Sequence, residues 1–242
     1  MYYSSAYSLM DSPILLAALL AAIAFSCYAS WHVKSVYKKY EKEHNLRGIT
    51  GADAAREILY RNGLSSVSIR EISGHSLTDY YDPKSNSISL SSDVYHGTSP
   101  VAIGVACHEA GHALQYAADY FPVKIRTAII PVTTFGSKLA MPLVLAGLLL
   151  SRSIPYLYQL VYVGLICFGL CTFFQLVTLP TEFNASNRAM ENILTYGILQ
   201  GEEADKAGKV LRAAAMTYVA ALAVSLLQLL RFIAIYGGRR RR

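Results

Sequence analysis

The chain has 242 residues, of which 53% are hydrophobic and only 16% charged, whereas about a quarter are charged in an ordinary soluble domain. With a mean hydropathy of +0.32, this balance excludes a typical water-soluble fold and points to a membrane protein with several apolar helices. The formal charge of +6 is concentrated in Arg239, Arg240, Arg241 and Arg242 and beside apolar segments, which favours anionic lipid over nucleic acid as a partner.

Taken along the chain, the first stretch able to span a bilayer covers residues 13 to about 31. The residues before it carry only Asp11 as a charge, and Lys34, Lys38, Lys39 and Lys42 follow at once. That asymmetry predicts a retained anchor with its N-terminus outside and the next segment in the cytoplasm. A polar stretch follows, the place for a small soluble subdomain over residues 32–127. Its first helix is signalled by Thr50 with Asp53 in a capping box, an apolar stripe of Ala52, Ala55, Ile58 and Leu59, and a stop at Gly63. Val67, Ile69 and Glu71 then alternate as a short strand does, and Leu77–Tyr81 and Ile88–Leu90 flank Asp82-Pro83-Lys84-Ser85-Asn86, which predicts a β-hairpin. Such a hairpin can offer an edge strand to an extended peptide or simply cover the helix beyond it. That helix is predicted from Pro100 to about Tyr120, with Pro122 as its stop.

Residues 128–150 and 155–177 predict a second and third span, joined so tightly at 151–154 that they must form an antiparallel hairpin. Pro131, Pro142 and Lys138 make the second the less regular of the two. A new helix is expected to open at Thr181, and residues 213–236 give a fourth span. The expected divisions are thus 1–31, 32–127, 128–177, 178–212 and 213–242. Four crossings from an outside N-terminus place Arg239–Arg242 outside, contrary to the positive-inside rule, so the two charge signals disagree on sidedness. Cys27, Cys107, Cys167 and Cys171 lack the spacing of a zinc ribbon or a disulfide framework, and Cys107 reads as a small core residue.

Chemistry is concentrated in His108-Glu109-Ala110-Gly111-His112. On a helix the two imidazoles lie one turn apart on the same face and can hold one Zn²⁺, with Glu109 beside them as a base for water. Two core histidines paired with a glutamate would be the structural alternative, but a buried Glu without a partner is costly. A catalytic zinc needs a third protein ligand and an open position. Glu182, Glu191, Glu202, Glu203, Asp205 and His96 are available, and Glu182 fits best, because a two-span hairpin between His112 and Glu182 returns the chain to the membrane face it left. A stabiliser for the oxyanion is sought among Asn187, Arg188, Tyr81 and His96, which spacing does not rank.

Segment 108–115, the downstream Glu182-Phe183-Asn184-Ala185-Ser186 with Arg188 and Ala189, and the upstream Leu77–Pro83 resemble the YugP-like neutral zinc metallopeptidases of bacterial membranes. The resemblance extends over most of the chain. More distantly the site is similar to the HtpX and CaaX-prenyl membrane proteases, with H-E-x-G-H followed by E-x-x-A-D; Gly111, Glu182 and Ala185 match, while Ser186 stands in place of Asp. There the Asp would orient a ligand imidazole, and Ser186 is a weaker, neutral partner for the same task. The resemblance implies zinc binding and peptidase activity on a gluzincin-like site.

The expected protein is therefore a mainly α membrane protein of about four transmembrane helices with a small zincin-like α+β subdomain. Its expected activity is that of a multi-pass zinc endopeptidase of the cell membrane, active at the cytoplasmic face on peptide or membrane-protein substrates. Zn²⁺ is held by His108, His112 and Glu182, and Glu109 serves as general base. A noncatalytic zinc-stabilised scaffold is the alternative, against which an intact Glu109 counts; a metal transporter lacks intramembrane carboxylates.

Overall fold

A computed structural model of the protein describes residues 13–73 and 78–237. Asp11, Leu77 and Arg239–Arg242, with the expectations placed on them, lie outside the described residues. In chain order the elements are α1 (Pro13–Tyr40), α2 (Gly51–Arg61), β1 (Ser68–Ile72), β2 (Tyr80–Asp82), β3 (Ser87–Ser91), α3 (Ser92–Tyr95), α4 (Pro100–Ala117), α5 (Phe121–Leu150), a 3-10 turn Pro155–Tyr158, α6 (Gln159–Thr195) and α7 (Glu202–Gly237). The protein is a mainly α membrane protein with a small α+β part. The described residues form two units, one of 13–28, 125–179 and 218–237, the other of Ala29–Lys124 and Pro180–Thr217.

The helices α1, α5, α6 and α7 are each long and apolar enough to cross a membrane. Large apolar side chains stand exposed along them, Phe135 at 70% and Ile166 at 65% among others. Such surface is unfavourable in water by roughly 25 cal/mol per Å² and costs nothing against lipid tails. Within the first unit, α5 and α6 form the antiparallel hairpin expected from their short linker. Their close approaches run in opposite order: Gly136 meets Cys167, Gly164 meets Ala140 and Val144, and Gly147 meets Val161. A Cβ on Gly164 would come within 2.7 Å of the Ala140 carbonyl oxygen, so glycine is what permits this packing.

At three places a helix continues beyond the stretch expected to span the membrane. Where a new helix was expected to open at Thr181, α6 instead runs unbroken through Pro180. In the same way α7 carries its charged start, Glu202 to Lys209, directly into the last apolar stretch, and α1 continues past residue 31 to Tyr40. A proline inside a helix removes one backbone bond, whereas ending and restarting the helix leaves several carbonyls and N–H groups without partners. The first is the smaller penalty. In α5, which starts at Phe121 with Pro122 in its first turn and runs through Pro131 and Pro142, the Thr133 and Thr134 hydroxyls also bond to the carbonyls of Ile129 and Ile130.

The second unit holds the α+β part. The Thr50–Asp53 capping box opens α2 as expected, and Gly63, at φ +73°, follows its end. The first residue of α2 is Gly51, where a Cβ would meet the Val94 carbonyl oxygen at 2.3 Å, so α2 can enter its site only as glycine. The predicted hairpin is present as β2 antiparallel to β3, with Tyr81 opposite Ile88. The sequence reading did not anticipate that β3 also pairs in parallel with β1, giving the order β1-β3-β2 with β3 central and β2 at an edge. All five residues of β3 are buried, with small serines alternating with Ile88 and Leu90. Helix α4 starts at Pro100, capped by Ser99, and is buried from Pro100 to Gln115 except at His108. It packs against Ala207 of α7 at Gly104 and shares one core with Ile58, Leu59, Ile88, Leu90, Ile193 and Leu199. Leu90 is fully buried there; Leu90→Ala is expected to lower the stability of the detergent-purified protein by about 2–5 kcal/mol in a denaturant titration.

Candidate metal centre

His108 and His112 lie one turn apart on α4, and Glu182 reaches them from α6. Gly111 makes that approach possible: a Cβ there would stand 2.5 Å from the Ala185 carbonyl oxygen. With Gly111 on one side and the fully buried Ala185 and Ala189 on the other, the two backbones come close enough for short side chains to meet. Glu182 Oε2 is 3.3 Å from His108 Nε2 and 3.6 Å from His112 Nε2. The two rings are 4.7 Å apart and near perpendicular. One nitrogen from each ring and one carboxylate oxygen all lie within 4.8 Å of one another, so His108, His112 and Glu182 could hold a metal ion. Glu182 is only 2% exposed and His112 8%.

Each ring is also held from behind. His108 Nδ1 lies 3.1 Å from Ser186 Oγ, so the serine occupies the orienting place expected of it. His112 Nδ1 lies 3.0 Å from Gln115 Oε1, a contact the sequence reading missed. Its signal was present, since position 115 follows His112 by three residues and so shares a helix face with it.

Glu109 is buried on the same helix and its Oε2 accepts the backbone N–H of Tyr81 on β2 at 2.9 Å. That edge strand is in turn tied down where Asp79 accepts the backbone N–H of Ser91 at 2.7 Å. Burial pushes the Glu109 carboxyl up from 4.5 to about 7; the neighbouring His108 lowers it, Glu182 and Asp79 raise it, and the Tyr81 N–H lowers it. Cys107 is fully buried and its thiol is pushed up by burial, which suits a packing role.

The other candidates are engaged elsewhere or exposed. His96 Nε2 pairs with Glu71 at 3.2 Å, and Glu203 accepts the Leu46 N–H at 2.8 Å. Glu202 faces Lys206 at 3.9 Å, and Glu191 and Asp205 are exposed. Of the residues considered for oxyanion stabilisation, Tyr81 is the one whose backbone touches Glu109. Its hydroxyl donates to Asn86 at 3.0 Å and its ring packs on Tyr116. Arg188 donates from Nε to Asn184 Oδ1 at 2.9 Å, and Asn187 is exposed.

A family model described as "Putative neutral zinc metallopeptidase" matches residues 15–237. A protein of Bacillus subtilis (strain 168) described as "Putative membrane protease YugP" is 46% identical over 221 residues, covering 91% of this chain and 96% of that protein. No solved structure matches.

The raised Glu109 carboxyl sets a pH dependence. A carboxyl whose folded pKa exceeds its unfolded one binds its proton more tightly when folded, so it stabilises the fold at low pH. In chelator-treated protein that contribution is complete below about 4.5 and is lost as pH rises through about 7. Thermal unfolding across this range should show Glu109→Gln less pH-sensitive and, at pH 8, more stable than wild type by on the order of 3 kcal/mol.

Proposed function

From its membership of the neutral zinc metallopeptidase family, to which the chain belongs, we propose that this protein is a membrane-embedded zinc endopeptidase. In this reading His108, His112 and Glu182 are the zinc ligands and Glu109 is the general base. The observation that carries it is a set of two imidazoles and one carboxylate converging within 4.8 Å, His112 and Glu182 buried and His108 partly so, with a second buried carboxylate beside it that takes no part in the cluster. Two nitrogens and one oxygen suit zinc, and three protein ligands are the number that leaves a position for catalysis. When bound, zinc polarises a scissile carbonyl and acidifies water.

The chain's own residues supply the remaining steps. Glu109 takes the proton of the attacking water on its carboxylate and delivers it to the leaving amine. The Tyr81 N–H, 2.9 Å from Glu109 Oε2, keeps that carboxylate aimed while it exchanges the proton. Ser186 and Gln115 steady the two imidazoles from their Nδ1 sides. Burial of Glu109, His112 and Glu182 keeps bulk water from competing. Because β2 is an edge strand with Tyr81 beside Glu109, an extended peptide laid along it would bring a bond of its backbone to that carboxylate. The substrate class is a peptide or an extended segment of a membrane protein.

Lys34, Lys38, Lys39 and Lys42, following the first apolar stretch, support a multi-pass topology with the site at the cytoplasmic face. Arg239–Arg242 suit anionic headgroups.

Metal content and proteolysis of the purified protein test this reading together. Wild type should carry about one zinc per chain, and Glu182→Ala should lose most of it. Glu109→Gln should keep the zinc while cleaving a peptide substrate about 10²–10⁴-fold more slowly. Undiminished cleavage by Glu109→Gln would remove the general-base assignment, and zinc unaffected by Glu182→Ala would move the third ligand elsewhere.

A further inference from the structure

Gln115 is fully buried, yet its amide brings two N–H donors and a carbonyl that must find partners. Those partners determine which way the amide faces. Nε2 is 2.7 Å from the backbone carbonyl oxygen of Thr181, which can only accept. It is also 3.0 Å from Asn184 Oδ1. That Asn184 atom lies 2.9 Å from Arg188 Nε, which can only donate, so it is the acceptor end of the asparagine and asks for a donor from Gln115 as well. Two separate acceptors therefore claim the NH₂ end of Gln115.

Oε1 is then the atom 3.0 Å from His112 Nδ1. A carbonyl oxygen cannot donate, so Nδ1 must carry the hydrogen, whether the ring is neutral or a cation. In the neutral ring this leaves Nε2 with its lone pair, and Nε2 is the nitrogen facing Glu182 at 3.6 Å. A lone pair opposite a carboxylate is repulsive unless a positive charge lies between them, which is the place the metal reading gives to zinc. His108 is different. Its Nδ1 partner is the Ser186 hydroxyl, which can donate or accept and so selects no tautomer.

We infer that Gln115 is a positioning residue that locks His112 as the Nδ1–H tautomer and so presents Nε2 to the metal; the inference rests on the zinc site proposed above. The same amide bonds the carbonyl of Thr181, the residue next to Glu182, so it also sets the register between the two helices that carry the ligands.

The test uses full-length protein in detergent and two readouts. ¹⁵N-histidine NMR of metal-free protein, with His112 identified by its absence in His112→Asn, should place the proton on Nδ1; a His112 protonated only on Nε2 overturns the inference without any metal present. Chelator competition with zinc should then show Gln115→Met binding about 10–100-fold more weakly than wild type. Gln115→Glu, which keeps an oxygen that can accept from His112, should recover most of that loss. Zinc binding by Gln115→Met equal to wild type overturns the Gln115 role alone. Equal losses in the Met and Glu variants, in step with their thermal unfolding, reduce Gln115 to a packing residue and overturn it too. A wild type that takes up no zinc overturns the metal site itself, and with it the presentation of Nε2.

Discussion

The structure depends on bringing one carboxylate, that of Glu182, into a nearly dry junction between two helices and surrounding it with imidazoles. A carboxylate buried there needs a positive charge beside it, from a protonated imidazole or from a cation held between it and the imidazole nitrogens, and the surrounding residues answer that constraint. Two histidine nitrogens face its Oε2 at 3.3 and 3.6 Å. Such distances require the backbones of α4 and α6 to approach closely, which is why Gly111 lies against the Ala185 carbonyl and why Ala185 and Ala189 line the contact. The polar groups behind the rings follow from the same requirement. A buried imidazole has a second nitrogen that also needs a partner, and Ser186 and Gln115 supply it.

Glu109 and Glu182 show how position gives two carboxylates different surroundings at one site. Both are buried and both belong to helices at one site. Glu182 is turned toward two imidazoles, an arrangement that suits a ligand. Glu109 meets a backbone N–H of an edge strand, and its burial pushes its carboxyl up to about 7 in the metal-free protein. The small sheet therefore contributes to the site through its backbone. The Asp79 bond to Ser91 and the pairing of Tyr81 with Ile88 hold the strand whose N–H reaches Glu109.

Much of this was legible along the chain. Runs of about 20 apolar residues are sufficient to mark spanning helices, and the capping box, the hairpin turn and the H-E-x-x-H spacing are local patterns that carry their own geometry. Glu182 was reachable by a topological argument, since two helices long and apolar enough to cross a membrane have their apolar stretches between it and His112. Helix ends were read less well, because Pro180 has the local signature of a boundary. In the structure the helix runs through it. The parallel pairing of β1 with β3 was not legible either, because strand alternation says which residues form a strand and not which neighbour they choose.

By itself the sequence determined the apolar helices, the fold class and the pair of histidines, because each is set by residues within a few turns of one another. Only the tertiary structure decided that Gln115 stands behind His112 with its NH₂ end drawn toward Thr181 and Asn184, and that the Tyr81 N–H meets Glu109. Those contacts join groups that are 28, 66 and 69 positions apart in the chain, with the His112 bond depending on them. Hydrogen-bond direction depends on which atom lies opposite which, and for distant residues that is known only once the helices and strands have packed.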